Sequence, residues 1–270
     1  MSTLTFTLKN TPKQRVDMSP MIVDRLSTMS IAEIKAITLQ SGKYQRSVDE
    51  LFDVYGDPGE SMIIRSSCDK LDYVGHGQKS GFISVEGNVG AYLGMNMSGG
   101  VITVIGSAGI FAACEMKGGN IEIKGNVGDF LGGAVPGNKQ GMKGGTVLVK
   151  GNVGERAGDH MRRGMILIEG NAADYCGSRM IAGTIAVMGE AGRYLGYGMS
   201  RGTLLLWKMP AIPPTFNDCG AHTLTFLSLF FASMRESDSK FSDPVAVFNR
   251  VQRFGGDMSN TGRGEILVKI

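Results

Sequence analysis

The sequence predicts a mainly β fold, a right-handed parallel β-helix of coils of about 19 residues, with a short mixed α/β N-terminal cap and a helical C-terminal cap. Glycines carry the prediction. Gly81, Gly100, Gly119, Gly145, Gly164, Gly183 and Gly202 follow at intervals of 19, 19, 26, 19, 19 and 19 residues, the odd interval being one repeat with a 7-residue insertion. Self-similarity at a fixed short period means units that bury no hydrophobic face alone and stack into a continuous core. A second observation is that each lead glycine opens an apolar run closed by another glycine, as in Gly81-Phe-Ile-Ser-Val-Glu-Gly87 and Gly145-Thr-Val-Leu-Val-Lys-Gly151. Runs such as Ile121-Glu-Ile-Lys alternate with strand period. A unit this short holds no helix pair, because each interior glycine costs a helix about 1 kcal/mol relative to alanine. The third is the half-repeat Gly87-Asn-Val-Gly-Ala-Tyr-Leu-Gly94, echoed by Gly125-Asn-Val-Gly-Asp-Phe-Leu-Gly132, whose glycines supply the corners. Seven coils and a degenerate eighth at 62–75, about 4.8 Å apart, give a rod about 35–40 Å long.

The elements follow in order. Residues 1–58 form the N-terminal cap segment: Leu4, Phe6 and Leu8 alternate as a strand, Ser19-Pro20 marks a helix start, and Ser30-Ile-Ala-Glu33 is a capping box. Residues 59–208 are the glycine-rich β-helix, in which aligned positions stack as columns. The position seven after each lead glycine reads Asn88, Ser107, Asn126, Asn152, Asn171 and Glu190, a hydrogen-bonding ladder. The position twelve after reads Leu93, Ala112, Leu131, Ala157, Cys176 and Leu195, a core stack in which Cys176 is a small hydrophobe. Residues 209–270 are a capping and interaction segment, set off by Pro210, Pro213 and Pro214. Two helices are expected there. One covers 224–234; the other opens at Asp243-Pro244, runs through Val247, Phe248, Val251 and Phe254, and stops at Gly255-Gly256. The segment around Phe226, Phe230 and Phe231 is expected to bury against the last coil or a partner subunit.

Composition narrows the class. No apolar run approaches a membrane span, and the alternating residues 1–9 lack the pattern of a signal peptide. Cys68, Cys114, Cys176 and Cys219 are scattered without a Cys-x-x-Cys, which points to reduced thiols in the cytoplasm and away from a metal site. Asn96-Met-Ser98 matches a glycosylation sequon that has no secretory context. His76, His160 and His222 have no motif spacing, and neither a dinucleotide-binding nor a P-loop glycine pattern occurs. Gly158-Asp-His160 has a polar look. Without an identifiable partner, His160 reads as a structural corner, and no catalytic or metal residue is expected.

Charge is more informative. Residues 1–78 carry net −1, residues 79–208 +4 and residues 209–270 zero. Lys79, Lys117, Lys143 and Arg162 fall in the column two before the lead glycines, and Lys124 and Lys150 in the column five after. Like charges stacked at strand spacing repel, so a basic strip, with these two beside it, is a candidate anion track. Nucleic acid is a poor fit, since the excess is small and aromatics are not interleaved in the strip.

A resemblance adds to this reading. The Gly-Asn-Val-Gly and Leu-Gly repeats, Met29-Ser-Ile-Ala-Glu-Ile-Lys-Ala-Ile37, Pro214-Thr-Phe-Asn-Asp-Cys-Gly-Ala-His222 and Gly262-Arg-Gly-Glu-Ile-Leu-Val268 together resemble the C-subunit family of formylmethanofuran dehydrogenase. Its bacterial branch belongs to the formyltransferase/hydrolase complex of methylotrophs. The repeat region alone is also similar to the C-terminal β-helix of glutamate synthase. The family resemblance implies a non-catalytic subunit of an assembly in one-carbon metabolism, with sister formyltransferase and amidohydrolase-like subunits as partners. Formyl-tetrahydromethanopterin would become formate through a methanofuran-like carrier, and neither cofactor is expected on this chain. The carrier's glutamate-rich tail makes Lys79, Lys117, Lys124, Lys143, Lys150 and Arg162 candidate tail-binding residues. One alternative is the C-subunit of a molybdenum or tungsten formylmethanofuran dehydrogenase. Another is a stand-alone β-helix transferase, against which the 19-residue period and the unpartnered histidines count.

Overall fold

The computed structural model describes residues 3–270; Met1 and Ser2, where the expected first strand begins, lie outside the described residues. The N-terminal part runs β1 (Thr3–Leu8), β2 (Val16–Asp17), α1 (Val23–Leu26), α2 (Ile31–Lys35), β3 (Thr38–Ser41), β4 (Tyr44–Ser47), α3 (Val48–Leu51) and β5 (Phe52–Gly56). Leu4, Phe6 and Leu8 alternate inward along β1. The Ser30 capping box forms: its hydroxyl accepts from the Glu33 amide at 3.3 Å, and the Glu33 carboxylate accepts from the Ser30 amide at 2.8 Å. A second box, Ser47 with Glu50, opens α3. The helix start expected at Ser19-Pro20 is instead a turn, closed by the Met21 amide on the Met18 carbonyl at 2.8 Å and by the Ser19 amide on the Asp17 carboxylate at 2.8 Å. With those groups satisfied by the turn, α1 begins after Ile22 and has no side-chain cap.

The repeats supply β6 (Ser61–Ser67), β7 (Leu71–Asp72), β8 (Phe82–Gly87), β9 (Val101–Ile105), β10 (Asn120–Ile123), β11 (Lys143–Val149), β12 (Arg163–Ile168), β13 (Thr184–Val187) and β14 (Arg201–Leu206). All but β7 pair in sequence order, each parallel to the next, within a 13-stranded sheet. Register advances one repeat per strand, so that Ile83, Ile102, Ile121, Val147, Ile166, Ile185 and Leu204 lie side by side. A second column of parallel bridges joins Val89, Ala108, Val127, Val153, Ala172 and Ala191 at the centres of the half-repeats. Two stacked columns in step with one period are consistent with a β-helix-like solenoid.

Side-chain columns hold the repeats in register. The asparagine ladder forms from side chain to backbone: Asn88 accepts from the Ser107 amide, Asn126 from Asn152, Asn152 from Asn171, and Asn171 from Glu190, at 2.7–2.8 Å. Leu93, Ala112, Leu131, Ala157, Cys176 and Leu195 are all buried, and burial pushes the Cys176 thiol up to about 12, leaving it unreactive at neutral pH. Another column consists of Met97, Met116, Met142, Met161, Met180 and Met199, each fully buried. It explains the lead glycines, which have φ between +84 and +111 from Gly100 onward. A Cβ on Gly119, Gly145, Gly164, Gly183 or Gly202 would lie 2.7–2.9 Å from the Cε of a methionine in this column. Flexible thioether chains fill that irregular corner space.

The C-terminal segment consists of β15 (Asn217–Thr223), α4 (Phe226–Met234), β16 (Arg250–Gly256) and β17 (Arg263–Lys269). The first expected helix is α4, while the second is corrected. Pro244–Ala246 makes a single 3₁₀ turn, which the Asp243 side chain caps by accepting the Val245 amide at 2.9 Å, and β16 follows as a strand. The spacing of Val247, Phe248, Val251 and Phe254 suits a helix, but β17 and β15 offer backbone partners on both sides of β16, and tertiary pairing outweighs the local period. β17 continues the parallel sheet beyond β14, so the C-terminal cap is more strand than helix.

Beneath α4 the sheet is buried on both faces. Outward residues are polar on the early strands, Ser84, Thr103 and Glu122, and apolar later, Leu148, Leu167, Ala186, Leu205 and Leu267. The apolar ones form a second core with Leu227, Phe231, Met234 and Phe241, to which Trp207 adds edge-to-face contacts with Phe231, Phe241 and Phe248. The phenylalanine segment thus covers the side of the sheet. Phe231 is buried, Phe230 half-buried and Phe226 45% exposed.

Candidate anion-binding edge

The turn that leads into each strand places Lys79, Lys117, Lys143 and Arg162 along one edge. The Ser98, Lys117, Lys143, Arg162, Ile181 and Ser200 amides donate in turn to the carbonyls of Gln78, Met97, Met116, Met142, Met161 and Met180 at 2.6–2.8 Å, so neighbours in the row are one strand spacing apart, about 4.8 Å. The structure lengthens this row. Arg163 pairs with Lys143 across β11 and β12, and Arg201 pairs with Arg263 across β14 and β17. These three arginines stand one position after the column read from the sequence, which is why a fixed offset missed them. Lys79, Lys117, Lys143, Arg162, Arg163, Arg201 and Arg263 make no ion pair among the described residues, and all but half-buried Lys143 are exposed. From β8 to β17 the row runs about 34 Å. At its start Asp24 accepts from the Lys79 and Ser80 amides and the Ser80 hydroxyl. Burial alone would raise the Asp24 pKa, but these bonds outweigh it and lower it, so a carboxylate shields the Lys79 end.

Lys124 and Lys150 do not join this row. Lys143 opens β11 and Lys150 follows its last residue, about 23 Å further along an extended chain. Lys150 is also spoken for, contacting Asp238 at 2.7 Å and Glu122 at 3.2 Å. Burial alone would lower its pKa, yet the bonds to Asp238 and Glu122 raise it. The unpaired row and the Lys124–Lys150 column thus lie apart on the repeat, and Lys150 is partly neutralised by Asp238 and Glu122.

The histidines are tied into the scaffold. His160 has the partner that sequence reading did not find: its Nδ1 lies 3.0 Å from the buried Asp159 carboxylate, which also accepts from the Ser178 hydroxyl and from Arg179 Nε and Nη2 at 3.0 and 2.7 Å. The Ser178 hydroxyl donates a hydrogen bond to Asp159, so the group links adjacent repeats, and no hydroxyl or thiol is hydrogen-bonded to the His160 ring among the described residues. Beside it the 7-residue insertion folds over Glu115, which accepts from Asn138 at 2.6 Å, and leaves a cleft of about 150 Å³ against Phe111 and Phe130. His76 packs edge-on against Tyr73, and the His222 ring meets the Cys219 carbonyl at 2.9 Å. Among the described residues no cluster of three or more His, Cys, Asp or Glu is placed to hold a metal, and no helix is long and apolar enough to cross a membrane.

The GXGXG motif family matches residues 83–217, half of the chain and most of the repeats. The C-subunit of the tungsten-containing formylmethanofuran dehydrogenase 2 of Methanococcus maripaludis is 32% identical over 92 residues, which span 33% of this chain and 34% of that protein. A chain in the X-ray crystal structure of the formyltransferase/hydrolase complex (FhcABCD) from Methylorubrum extorquens, solved in complex with methylofuran, superposes with a TM-score of 0.93 at 37% identity, covering 98% of this chain and 99% of that one. A likeness of this extent, together with the GXGXG repeat and the flanking segments, makes the chain a member of the C-subunit family of formylmethanofuran dehydrogenase.

Proposed function

We propose that the chain is a non-catalytic scaffold subunit of a cytoplasmic formyltransferase/hydrolase assembly. Sister formyltransferase and amidohydrolase-like subunits there convert formyl-tetrahydromethanopterin to formate through a methanofuran-like carrier. The near full-length likeness to a chain of the FhcABCD complex carries this reading. A second reading, the C-subunit of a molybdenum or tungsten dehydrogenase, is supported by a match over a third of the chain. In either, residues 59–208 wind as a right-handed parallel β-helix, with 1–58 and 209–270 as its caps.

The cationic edge gives the scaffold a task. A carrier with a polyglutamate tail visits sites on two subunits, and a row of unpaired cations at strand spacing holds such a tail by many weak contacts. Each exposed pair contributes only about 0–1 kcal/mol and is screened beyond about 8–10 Å, so the tail stays held and mobile. Lys117, Lys143 and Arg162 stand at the leading ends of three consecutive strands and form the centre of the track. Reversing these three to glutamate is expected to leave assembly intact and raise the KM for the long-tailed carrier about 3- to 30-fold, less at high salt. A tail-less carrier analogue should be turned over as before. Unchanged KM for the long-tailed carrier, or an equal rise for the analogue, overturns the track.

A further inference from the structure

We propose that the cleft beside the 7-residue insertion is a binding site for a small neutral amide that carries a flat apolar group. Two departures from the repeat coincide there. One corner position recurs at the repeat spacing as Gly77, Asn96, Glu115, His160, Arg179 and Gly198, all with positive φ. Glycine and asparagine suit that backbone, whereas glutamate, histidine and arginine resist it. These three resisting residues occupy the corners on either side of the insertion, residues 134–140, which interrupts the same column and walls the cleft with Val135, Pro136 and Asn138. Strained polar corners gathered round a cleft point to a ligand rather than to the needs of the repeat, which closes the same corner elsewhere with Gly77 and Gly198.

Asp159 decides what the cleft offers. Its buried carboxylate accepts from the Ser178 hydroxyl, from Arg179 Nε and Nη2, and from His160 Nδ1. A carboxylate only accepts, so His160 Nδ1 carries a proton and, in the neutral ring, Nε2 is left as an acceptor. Arg179 keeps Nη1 as a donor. Neither Nε2 nor Nη1 has a hydrogen-bond partner among the described residues, and the two side chains meet on one oxygen, Asp159 Oδ2, which sets acceptor and donor side by side. An amide satisfies both, its carbonyl accepting from Arg179 and its N–H donating to His160. A carboxylate satisfies Arg179 but sets its charge against the His160 lone pair and near Glu115, buried under the insertion; an ammonium group has the reverse fault at Arg179. The volume of about 150 Å³ suits a group of benzene size, and the stacked walls Phe111 and Phe130, 4.7 Å apart, suit a flat one. Binding here needs no sister subunit, so it holds for the chain alone and apart from the reading of the assembly.

The test titrates the full chain, with isotope-labelled histidine, with benzamide and follows the ring signals of His76, His160 and His222 by NMR, the His160 signal being the one missing from His160→Ala. That signal should shift to saturation while the other two stay in place. Benzoate and benzylamine, of similar size and opposite charge, should bind about tenfold or more weakly than benzamide. Removing residues 134–140 restores the 19-residue interval of the neighbouring repeats. This variant should keep the circular dichroism spectrum and bind benzamide about tenfold or more weakly, having lost one wall of the cleft. His160→Ala, which leaves Ser178 and Arg179 on Asp159, should weaken binding about 3- to 10-fold, read from the signals of benzamide itself, and decides the matter if the shortened chain does not fold. A His160 signal that does not move, benzoate or benzylamine binding as tightly as benzamide, or undiminished binding by either folded variant overturns the site.

Discussion

At the scale of single residues, the columns show where the repeat departs from its own rule. Gln78 stands in the first place of the methionine column, fully buried; its Nε2 donates to the Gly81 carbonyl at 3.3 Å and its Oε1 meets no protein donor among the described residues. A buried acceptor without a donor costs about 1–3 kcal/mol, so Gln78→Met is expected to raise stability by about 1 kcal/mol in urea unfolding, with no change in slope. Asp257 gives a pH dependence. Burial alone would raise its pKa, but bonds from the Ser259 hydroxyl and amide, the Gly198 amide and the Thr215 hydroxyl lower it overall. A lowered folded pKa means the folded state binds fewer protons, so this contribution is complete above the unfolded value near 3.9 and is lost as pH falls through the folded one. Asp257→Asn should therefore be less stable than wild type at pH 7, and its stability should fall less steeply than that of wild type below about pH 4. The lead glycines were legible in the sequence because glycine is distinctive. The methionine column was there to be read as well, three residues before each lead glycine from Gly100 onward, whereas the Asp159 cluster was not, since a hydrogen-bonded corner carries no local signature.

Among elements, the strands of the repeats were legible and the C-terminal segment was only partly so. β8 to β14 announce themselves by period and alternation, and their register follows from the repeat length. β16 reads as a helix because its apolar spacing fits one; only the neighbouring strands, far apart in sequence, decide otherwise. The aromatic column recurs at the repeat spacing, but its ring stacking and its backbone conformation emerge only in the fold. Tyr73, Tyr92, Phe111 and Phe130 stack at 4.7–5.3 Å, Arg156 lies 4.4 Å over Tyr175, and Tyr175 stacks on Tyr194 at 4.7 Å. All seven residues have positive φ, so the stack holds each corner where the backbone alone resists it. The strand-leading corner is equally specified. Gly164 has φ of +107, and a Cβ there would meet the Gly145 carbonyl oxygen and Met142 Cε, both at 2.9 Å. Gly164→Ala should cost about 1–3 kcal/mol, read from the urea midpoint. Gly137, in the insertion with open space around its Cα, should tolerate alanine better, limited only by its φ of +92.

For the whole molecule, the cationic edge was half legible. Four of its residues fall in one sequence column, whereas Arg163, Arg201 and Arg263 come into line only once β12, β14 and β17 are laid side by side. Lys124 and Lys150 share the height of Lys117 and Lys143 along the stack but belong to another column, seven residues further round the repeat. The central claim is that this chain organises catalysis carried out by other subunits. It is tested most directly by purifying the tagged chain from its native host and assaying formyl transfer and hydrolysis in the recovered material and in the chain made alone. The expected result is stoichiometric formyltransferase and amidohydrolase chains with activity in the complex, and no turnover by the isolated chain. A chain that purifies alone and turns over a formylated carrier, with activity abolished by His160→Ala, would contradict it.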